Sequence, residues 1–197
     1  TTRGASGEIG DAVFSQAMIQ PAGSGQLKSF LRLQAHGKAG VEQGYNTDAR
    51  PLEFDEKQGH KYTRSLDLSK VGTVNIGGTE YREFLLDVNE PGSKTKSLIS
   101  LDELRLYLSD EADLTGYDAA SGQLGGVDPI YDLDADGDNY VLINAKLSHG
   151  SGGSDVLVYI KDSLFAEGGD SSHVYLYSKF GENNDAEGGS QEWAARA

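Results

Sequence analysis

Apolar and polar residues alternate over short segments of this chain, and clusters of Gly, Asn, Asp or Ser separate the segments. In residues 81–88, for example, Phe84, Leu86 and Val88 occupy every second position, as they would in a strand with one buried face. The same alternation predicts strands at 12–20, 29–35, 62–68, 73–76, 105–109, 140–147, 155–161 and 173–180. About ten strands with turns between them predict an all-β fold, a β-sandwich or jelly roll of antiparallel strands with at most one or two short helical turns.

The segment that begins at Ser100 fits two patterns. Ser100 and Glu103 match a capping box, and Leu101, Leu104 and Leu108 match a helical stripe. The residues from Leu104 to Leu108 also alternate as a strand does. We expect one helical turn that leads into a strand.

No change in composition divides the chain into two large units. We predict an N-terminal strand segment at 1–21 and a single β-sandwich domain at 22–197. The strand at 12–20 has two interpretations: it is the first strand of its own sheet, or it is donated to the sheet of a neighbouring copy. Because the chain starts at Thr1 without Met, we expect a processed mature protein.

Charge narrows the possible partners. The chain has 17 basic and 31 acidic residues, and its net charge of −14 argues against binding to nucleic acid or to an anionic membrane surface. No apolar run approaches the roughly 20 residues needed to span a bilayer. The chain has no Cys, and its four His residues are scattered, so we expect neither a disulfide nor a transition-metal site. These residues are His36, His60, His149 and His173.

The acidic run at 132–139 carries the clearest chemistry. The candidate ligands are Asp132, Asp134, Asp136 and Asp138. Oxygen ligands at alternate positions let one loop wrap a hard cation, and Gly137 permits the sharp turn, so we predict that the loop binds Ca²⁺. Position 12 of the EF-hand pattern is Ile143 where a bidentate Glu belongs, which argues against an EF-hand.

The flanking segments predict a loop between two strands, with further ligands from elsewhere in the fold. Asp87, Asn89 and Glu90 are the next candidates. The alternative is a solvated acidic hairpin that binds no metal. At the affinity of an extracellular module, calcium would stabilise the fold by ~1.4–2.7 kcal/mol.

Catalytic patterns are missing, and we predict that the protein is not an enzyme. Ser151 lacks the Gly two positions earlier that a nucleophile elbow needs, and the acidic residues are too many for any pair to be informative. Four aromatic residues are candidates for stacking on sugars, and the alternative is that their rings pack within the protein. They are Tyr45, Tyr175, Tyr177 and Trp193.

Several stretches resemble a group of secreted bacterial β-rich surface or matrix proteins that often carry PEP-CTERM-type sorting signals. They are SFLRLQ at 29–34, EQGYNTD at 42–48, YREFLLDVNE at 81–90, ISLDEL at 99–104, IYDLD at 130–134, SDVLVYI at 154–160 and EW at 192–193. The resemblance implies secretion and contributes no catalytic residue. The chain ends without a Pro-Glu-Pro motif, a membrane helix or a basic tail, so we expect a released or polymerised form.

The leading hypothesis is a secreted, calcium-stabilised structural subunit of an extracellular filament, surface layer or matrix, which assembles with copies of itself by N-terminal strand donation. The alternative is a carbohydrate-binding or adhesion module with a polysaccharide partner. Either function places the protein outside the cell or at the cell surface.

Overall fold

The computed structural model of the protein describes residues 2, 4–16, 28–35, 40–90, 97–147, 155–169, 171–187 and 189–196. Some predicted features lie outside these residues. They are residues 17–20 of the predicted N-terminal strand, His36, His149, and Ser151 in its Gly-rich run.

Fourteen strands and two 3₁₀ turns form the regular structure of the described residues. The strands are β1 (Ser6–Ile9), β2 (Ala12–Ser15), β3 (Ser29–Leu33), β4 (Glu42–Tyr45), β5 (Thr73–Ile76), β6 (Thr79–Val88), β7 (Leu98–Ser109), β8 (Tyr117–Asp118), β9 (Gln123–Leu124), β10 (Tyr131–Asp132), β11 (Val141–Asn144), β12 (Val156–Lys161), β13 (His173–Phe180) and β14 (Gln191–Ala195). The 3₁₀ turns are Leu68–Lys70 and Asp162–Phe165. Among the described residues there is no helix with the length and apolar character needed to cross a bilayer.

The strands form two antiparallel sheets. The seven-stranded sheet has the order β1-β2-β12-β6-β14-β3, with β5 also paired to β6. The five-stranded sheet has the order β10-β7-β13-β4, with β11 also paired to β7, and β8 and β9 form a separate hairpin. The prediction of an all-β, sandwich-like fold is confirmed.

The main core lies between the two sheets. Phe84 and Leu86 of β6 face Leu106 of β7 across the sandwich as members of one buried cluster. Trp193 of β14 is 0% exposed, and its indole N–H donates to the hydroxyl of Ser178 on β13 at 2.9 Å. This hydrogen bond joins the two sheets at their centre. Truncation of such a buried aromatic side chain to Ala costs about 3–5 kcal/mol.

Strand β7 corrects the prediction of a helical turn at Ser100, since residues Leu98–Ser109 form one continuous strand. Its register with β13 shifts by one residue at Asp102, which is a β-bulge. Because the bulge changes the phase of the alternation, Leu101 and Leu104 both face the core although they are three residues apart. The three-residue spacing of Leu101 and Leu104, which resembles that of a helix, therefore results from the bulge.

The predicted strand at 62–68 is wrong. Leu66 and Leu68 bury their side chains in the core, and this burial accounts for the alternation in the sequence. The backbone pairs with β13 through one isolated antiparallel bridge, Asp67 with His173, and the amide of Arg64 donates to the carbonyl of Phe30 at 3.0 Å. Side-chain burial at every second position therefore does not require a continuous ladder.

The N-terminal hairpin of β1 and β2 lies at one edge of the seven-stranded sheet. Here β2 pairs with β12 of the same chain, which is the first of the two interpretations of this segment. The side-chain amide of Gln16 donates to the carbonyl of Asn144 at 2.9 Å, and the hydroxyl of Tyr131 donates to the carbonyl of Ile9 at 3.1 Å. These bonds tie the hairpin to the other sheet beside a cavity of about 300 Å³.

Candidate functional site

The acidic loop, residues 132–139, interrupts the outer strand of the five-stranded sheet. Asp132 of β10 pairs with Arg105 of β7, and Val141 of β11 pairs with Leu101 of the same strand. Between these pairs, eight residues of the edge, 133–140, face three residues of β7. Because three residues cannot pair with eight, most of residues 133–140 leave the sheet edge and form a loop, which carries the acidic side chains.

Hydrogen bonds hold the acidic loop in a compact turn. Asp132 Oδ1 accepts the amide of Asp134 at 3.0 Å, and Asp134 Oδ1 accepts the amide of Asn139 at 2.9 Å. The side-chain amide of Asn139 donates to the carbonyls of Leu133 and Gly137 at 3.1 and 2.9 Å. Gly137 has φ of 139°, a conformation that side chains disfavour, so glycine is needed where the loop folds back.

Arg105 neutralises the base of the loop. Its Nε donates to Asp132 Oδ2 at 3.0 Å, and its Nη1 contacts the carboxylate of Glu103 and the hydroxyl of Tyr117. Lys179 Nζ lies 3.2 Å from the other oxygen of Glu103. Both oxygens of Asp132 are thus engaged, so a calcium ion would compete with Arg105 for this side chain.

The remaining acidic side chains of the loop lack such a partner. Burial raises the pKa of Asp134, and the negative charges of Asp132 and Glu103 raise it further. Asp136 and Asp138 are exposed and form no ion pair with a described residue. No three or more His, Cys, Asp or Glu of the described ranges already converge as metal ligands, so calcium would have to draw the loop closed.

The three further ligands predicted from the sequence lie on the other sheet. Asp87 belongs to β6, and Asn89 and Glu90 follow directly. The side-chain amide of Asn89 donates to the carbonyl of Ser190 at 3.0 Å, and Glu90 Oε2 accepts the amide of Glu187 at 2.8 Å. The structure thus divides the predicted ligands into two groups.

Asp87 faces a buried acid that sequence reasoning missed. Asp155 is 3% exposed; its Oδ2 accepts the amide of Val88 at 2.7 Å, and its Oδ1 has no hydrogen-bond partner among the described residues. Burial raises the pKa of Asp155 to about 8, and the neighbouring Asp87 contributes. The pKa of Asp87 is itself raised, by burial and then by the charge of Glu192.

Glu42 of β4 is a second buried acid that was missed. It is 1% exposed, and burial raises its pKa to about 7. Its Oε1 accepts the amide of Ala35 at 3.1 Å. The side-chain amide of Gln191 donates to Glu42 Oε2 at 3.4 Å and to Glu90 Oε1 at 2.7 Å, so it bridges two carboxyl groups.

The sequence holds a signal for one of these two acids. Asp155 directly precedes the apolar run 156–160, and a carboxyl group at the head of a buried strand is a candidate for burial. Glu42 lies among polar and glycine neighbours and gives no comparable signal.

The aromatic residues considered for sugar binding are buried. Trp193 and Tyr45 are both 0% exposed, and Tyr175 and Tyr177 are no more than 1% exposed. Tyr177 stacks on Tyr117 with ring centroids 3.9 Å apart. The packing interpretation is confirmed for all four residues, because each side chain is buried.

A comparison with protein-family models, curated proteins and solved structures finds no match to this chain. The resemblance to secreted bacterial surface proteins therefore stays a prediction.

Proposed function

We propose that the protein is a calcium-stabilised structural subunit of an extracellular filament, surface layer or matrix. The observation that carries the proposal is the extruded acidic loop, which presents Asp134, Asp136 and Asp138 around Gly137 with no ion-pair partner among the described residues. Ca²⁺ takes six to eight oxygen ligands in flexible geometry, so loop carbonyls and water would complete the set.

The position of the loop explains how calcium would act on the fold. The loop joins β10 to β11, and both strands pair with the same edge of β7. Four Asp within this short loop repel one another, which strains the connection until a cation neutralises them. With free calcium at about 10–100 times the dissociation constant, the free energy of unfolding would rise by ~1.4–2.7 kcal/mol.

Two open features of the sheet edge support self-assembly. Among the described strands β1 pairs only with β2, and no described strand covers its outer backbone edge, which favours pairing with another chain. Its side chains are largely exposed, and Glu8 is its one charged residue. Strand donation would occur at this same side of the sheet. The hairpin of β1 and β2 would leave β12 of its own chain and pair with β12 of a neighbouring copy.

The test is the particle size and thermal stability of the full chain in calcium and in chelator. The loop variant is Asp134→Asn with Asp136→Asn, and the matched control is Asp113→Asn with Asp128→Asn, which removes two charges from exposed positions elsewhere. We expect calcium to raise the melting temperature of the natural chain and of the control, and to leave the loop variant unchanged. We also expect calcium to produce longer particles.

Two results would contradict the proposal. If calcium leaves the melting temperature of the natural chain unchanged, the acidic loop is a solvated hairpin. If the chain stays monomeric at high concentration with saturating calcium, it is not an assembling subunit.

A further inference from the structure

About half of the Lys and Arg residues that the structure describes have an acidic partner. The residues with a carboxylate within ion-pair distance include Arg32, Lys70, Arg82, Arg105, Lys161, Lys179 and Arg196. Six described cations have no such partner, and they are Lys28, Arg50, Lys57, Lys61, Arg64 and Lys146. Lys57 and Lys61 differ from the other four because both contact the same aromatic ring.

The two lysines converge on one aromatic ring. Lys57 Nζ lies 4.7 Å and Lys61 Nζ 4.6 Å from the centroid of the Tyr62 ring, and the guanidinium of Arg32 lies 5.5 Å from it. We call these four residues the Tyr62 patch. The hydrogen bond from Lys61, with the charges of Lys61, Lys57 and Arg32, lowers the pKa of the Tyr62 hydroxyl.

The backbone fixes the Tyr62 patch against strand β3. The amide of Lys57 donates to the carbonyl of Arg32 at 2.8 Å. A turn follows in which the amide of Tyr62 donates to the carbonyl of Gly59 at 2.9 Å, and Gly59 has φ of 99°. Because the amide of Arg64 donates to the carbonyl of Phe30 directly after this turn, the backbone that carries the two lysines is fixed to β3 at both ends, which lowers the entropic cost of binding.

The positive charges of Lys57 and Lys61 are not balanced by a described acid. The two ammonium groups lie within about one Debye length of each other, roughly 10 Å at 0.1 M salt, so they repel. Glu192 already neutralises Arg32, at 3.0 Å, and no described acid does so for the lysines. The face of the ring gives both lysines an attractive contact but leaves their charge uncompensated.

We infer that the Tyr62 patch binds an acidic polysaccharide, one that carries carboxylate or sulfate groups on its sugars. Lys57 and Lys61 would each donate to an anionic group of the polymer, and Tyr62 would hold the two ammonium groups in position. The inference deepens the proposed matrix role and rests on it for the class of polymer, whereas the Tyr62 patch and the acidic loop are separate surfaces.

The small size of the patch favours a polymer of sparse charge over nucleic acid. Duplex DNA presents one negative charge per roughly 1.7 Å of axis, so its further phosphates would meet the surface of a protein with net charge −14. A polysaccharide with no more than one charge on each sugar places one or two of its charges on the lysines and sets uncharged hydroxyl groups against the rest of the surface.

The experiment is a titration of the full chain with sodium polygalacturonate, which carries carboxylates, and with heparin, which carries sulfates. It is performed in chelator, so that calcium cannot bridge the polymer to the acidic loop. The test variant is Lys57→Gln with Lys61→Gln. The matched control is Lys70→Gln with Lys146→Gln, which removes two positive charges from other surfaces.

We expect at least one of the two polymers to bind, with affinity that falls as sodium chloride rises. We expect the test variant to lose at least about tenfold in affinity and the control to lose less than about threefold. The polymer that binds more tightly identifies the anionic group as carboxylate or sulfate. If the melting temperatures of both variants in chelator are unchanged, the loss of affinity results from the lost lysine contacts and not from unfolding.

Three results would overturn the inference: no binding of either polymer, equal losses in the test variant and the control, or equally tight binding of single-stranded DNA. None of these results affects the calcium proposal, whose readout is the melting temperature in calcium.

Discussion

The acidic loop and the buried carboxyl groups are two acidic regions that differ in their exposure to solvent. The loop places Asp136 and Asp138 in solvent. Asp155 and Glu42 are nearly fully buried, and burial raises their pKa to about 8 and about 7. Identical chemical groups are therefore open to solvent in one region and hold their protons more tightly in the other, because of burial.

The largest effect is expected from a change of pH, which acts on the two buried carboxyl groups. In the unfolded chain Asp155 and Glu42 have ordinary pKa values of 3.8 and 4.5, so above these values the unfolded chain releases protons that the folded chain keeps. Each group contributes its full stabilisation below its unfolded pKa. The contribution of Glu42 is lost as pH rises through about 7, and that of Asp155 as pH rises through about 8.

We expect the free energy of unfolding to fall by on the order of a few kcal/mol between about pH 5 and about pH 9. Urea unfolding followed by the fluorescence of buried Trp193 measures it. The double variant Asp155→Asn, Glu42→Gln should flatten the profile. A profile of equal slope in the natural chain and in this variant would contradict the assignment of the protons to these groups.

The second prediction concerns the hydrogen bond that Asp155 accepts from the amide of Val88. The change Asp155→Val leaves this buried N–H without an acceptor and should cost about 1–3 kcal/mol of stability at pH 5. Asp155→Asn keeps an acceptor and should stay within about 0.5 kcal/mol of the natural chain at that pH. Equal stabilities of the two variants in urea unfolding would show that the hydrogen bond contributes nothing.

The smallest effect is expected in the acidic loop without calcium. Asp136 is exposed and has no described hydrogen-bond or ion-pair partner, so Asp136→Asn should change the free energy of unfolding by less than about 0.5 kcal/mol in chelator. The direction should be a small gain, because the change removes repulsion within the loop. A loss above 1 kcal/mol, measured by thermal unfolding, would mean that Asp136 is a structural residue and would end the contrast with Asp155.

The alternation of apolar residues predicts most of the strands because the sheets have one face toward the core. It locates β5 and β13 with the observed bounds, and it places β6 with the correct buried face. It fails at Asp102, where a bulge changes the phase, and at Leu66, which is buried beside a single isolated bridge and not in a strand. Both failures have one cause: alternation reports burial, and pairing depends on a partner strand far away in the sequence.

The candidate site divides in the same way. The spacing of Asp134, Asp136 and Gly137 is local, so the sequence alone predicts a turn with oxygen ligands. The contact of Asp155 with Asp87 and the bridge from Gln191 to Glu42 depend on strand order, which no local pattern contains. The Tyr62 patch likewise depends on the return of the chain to β3.

Strand order also constrains when this protein can fold. Strand β14 lies inside the seven-stranded sheet, between β6 and β3, and Trp193 fills the centre of the core. Until Gln191–Ala195 have been synthesised, β3 has no neighbour through which to join β6, and the sandwich lacks its largest interior side chain. The sandwich is therefore completed only after β14 has been synthesised, and until then the edges of β3 and β6 that β14 covers stay without this partner.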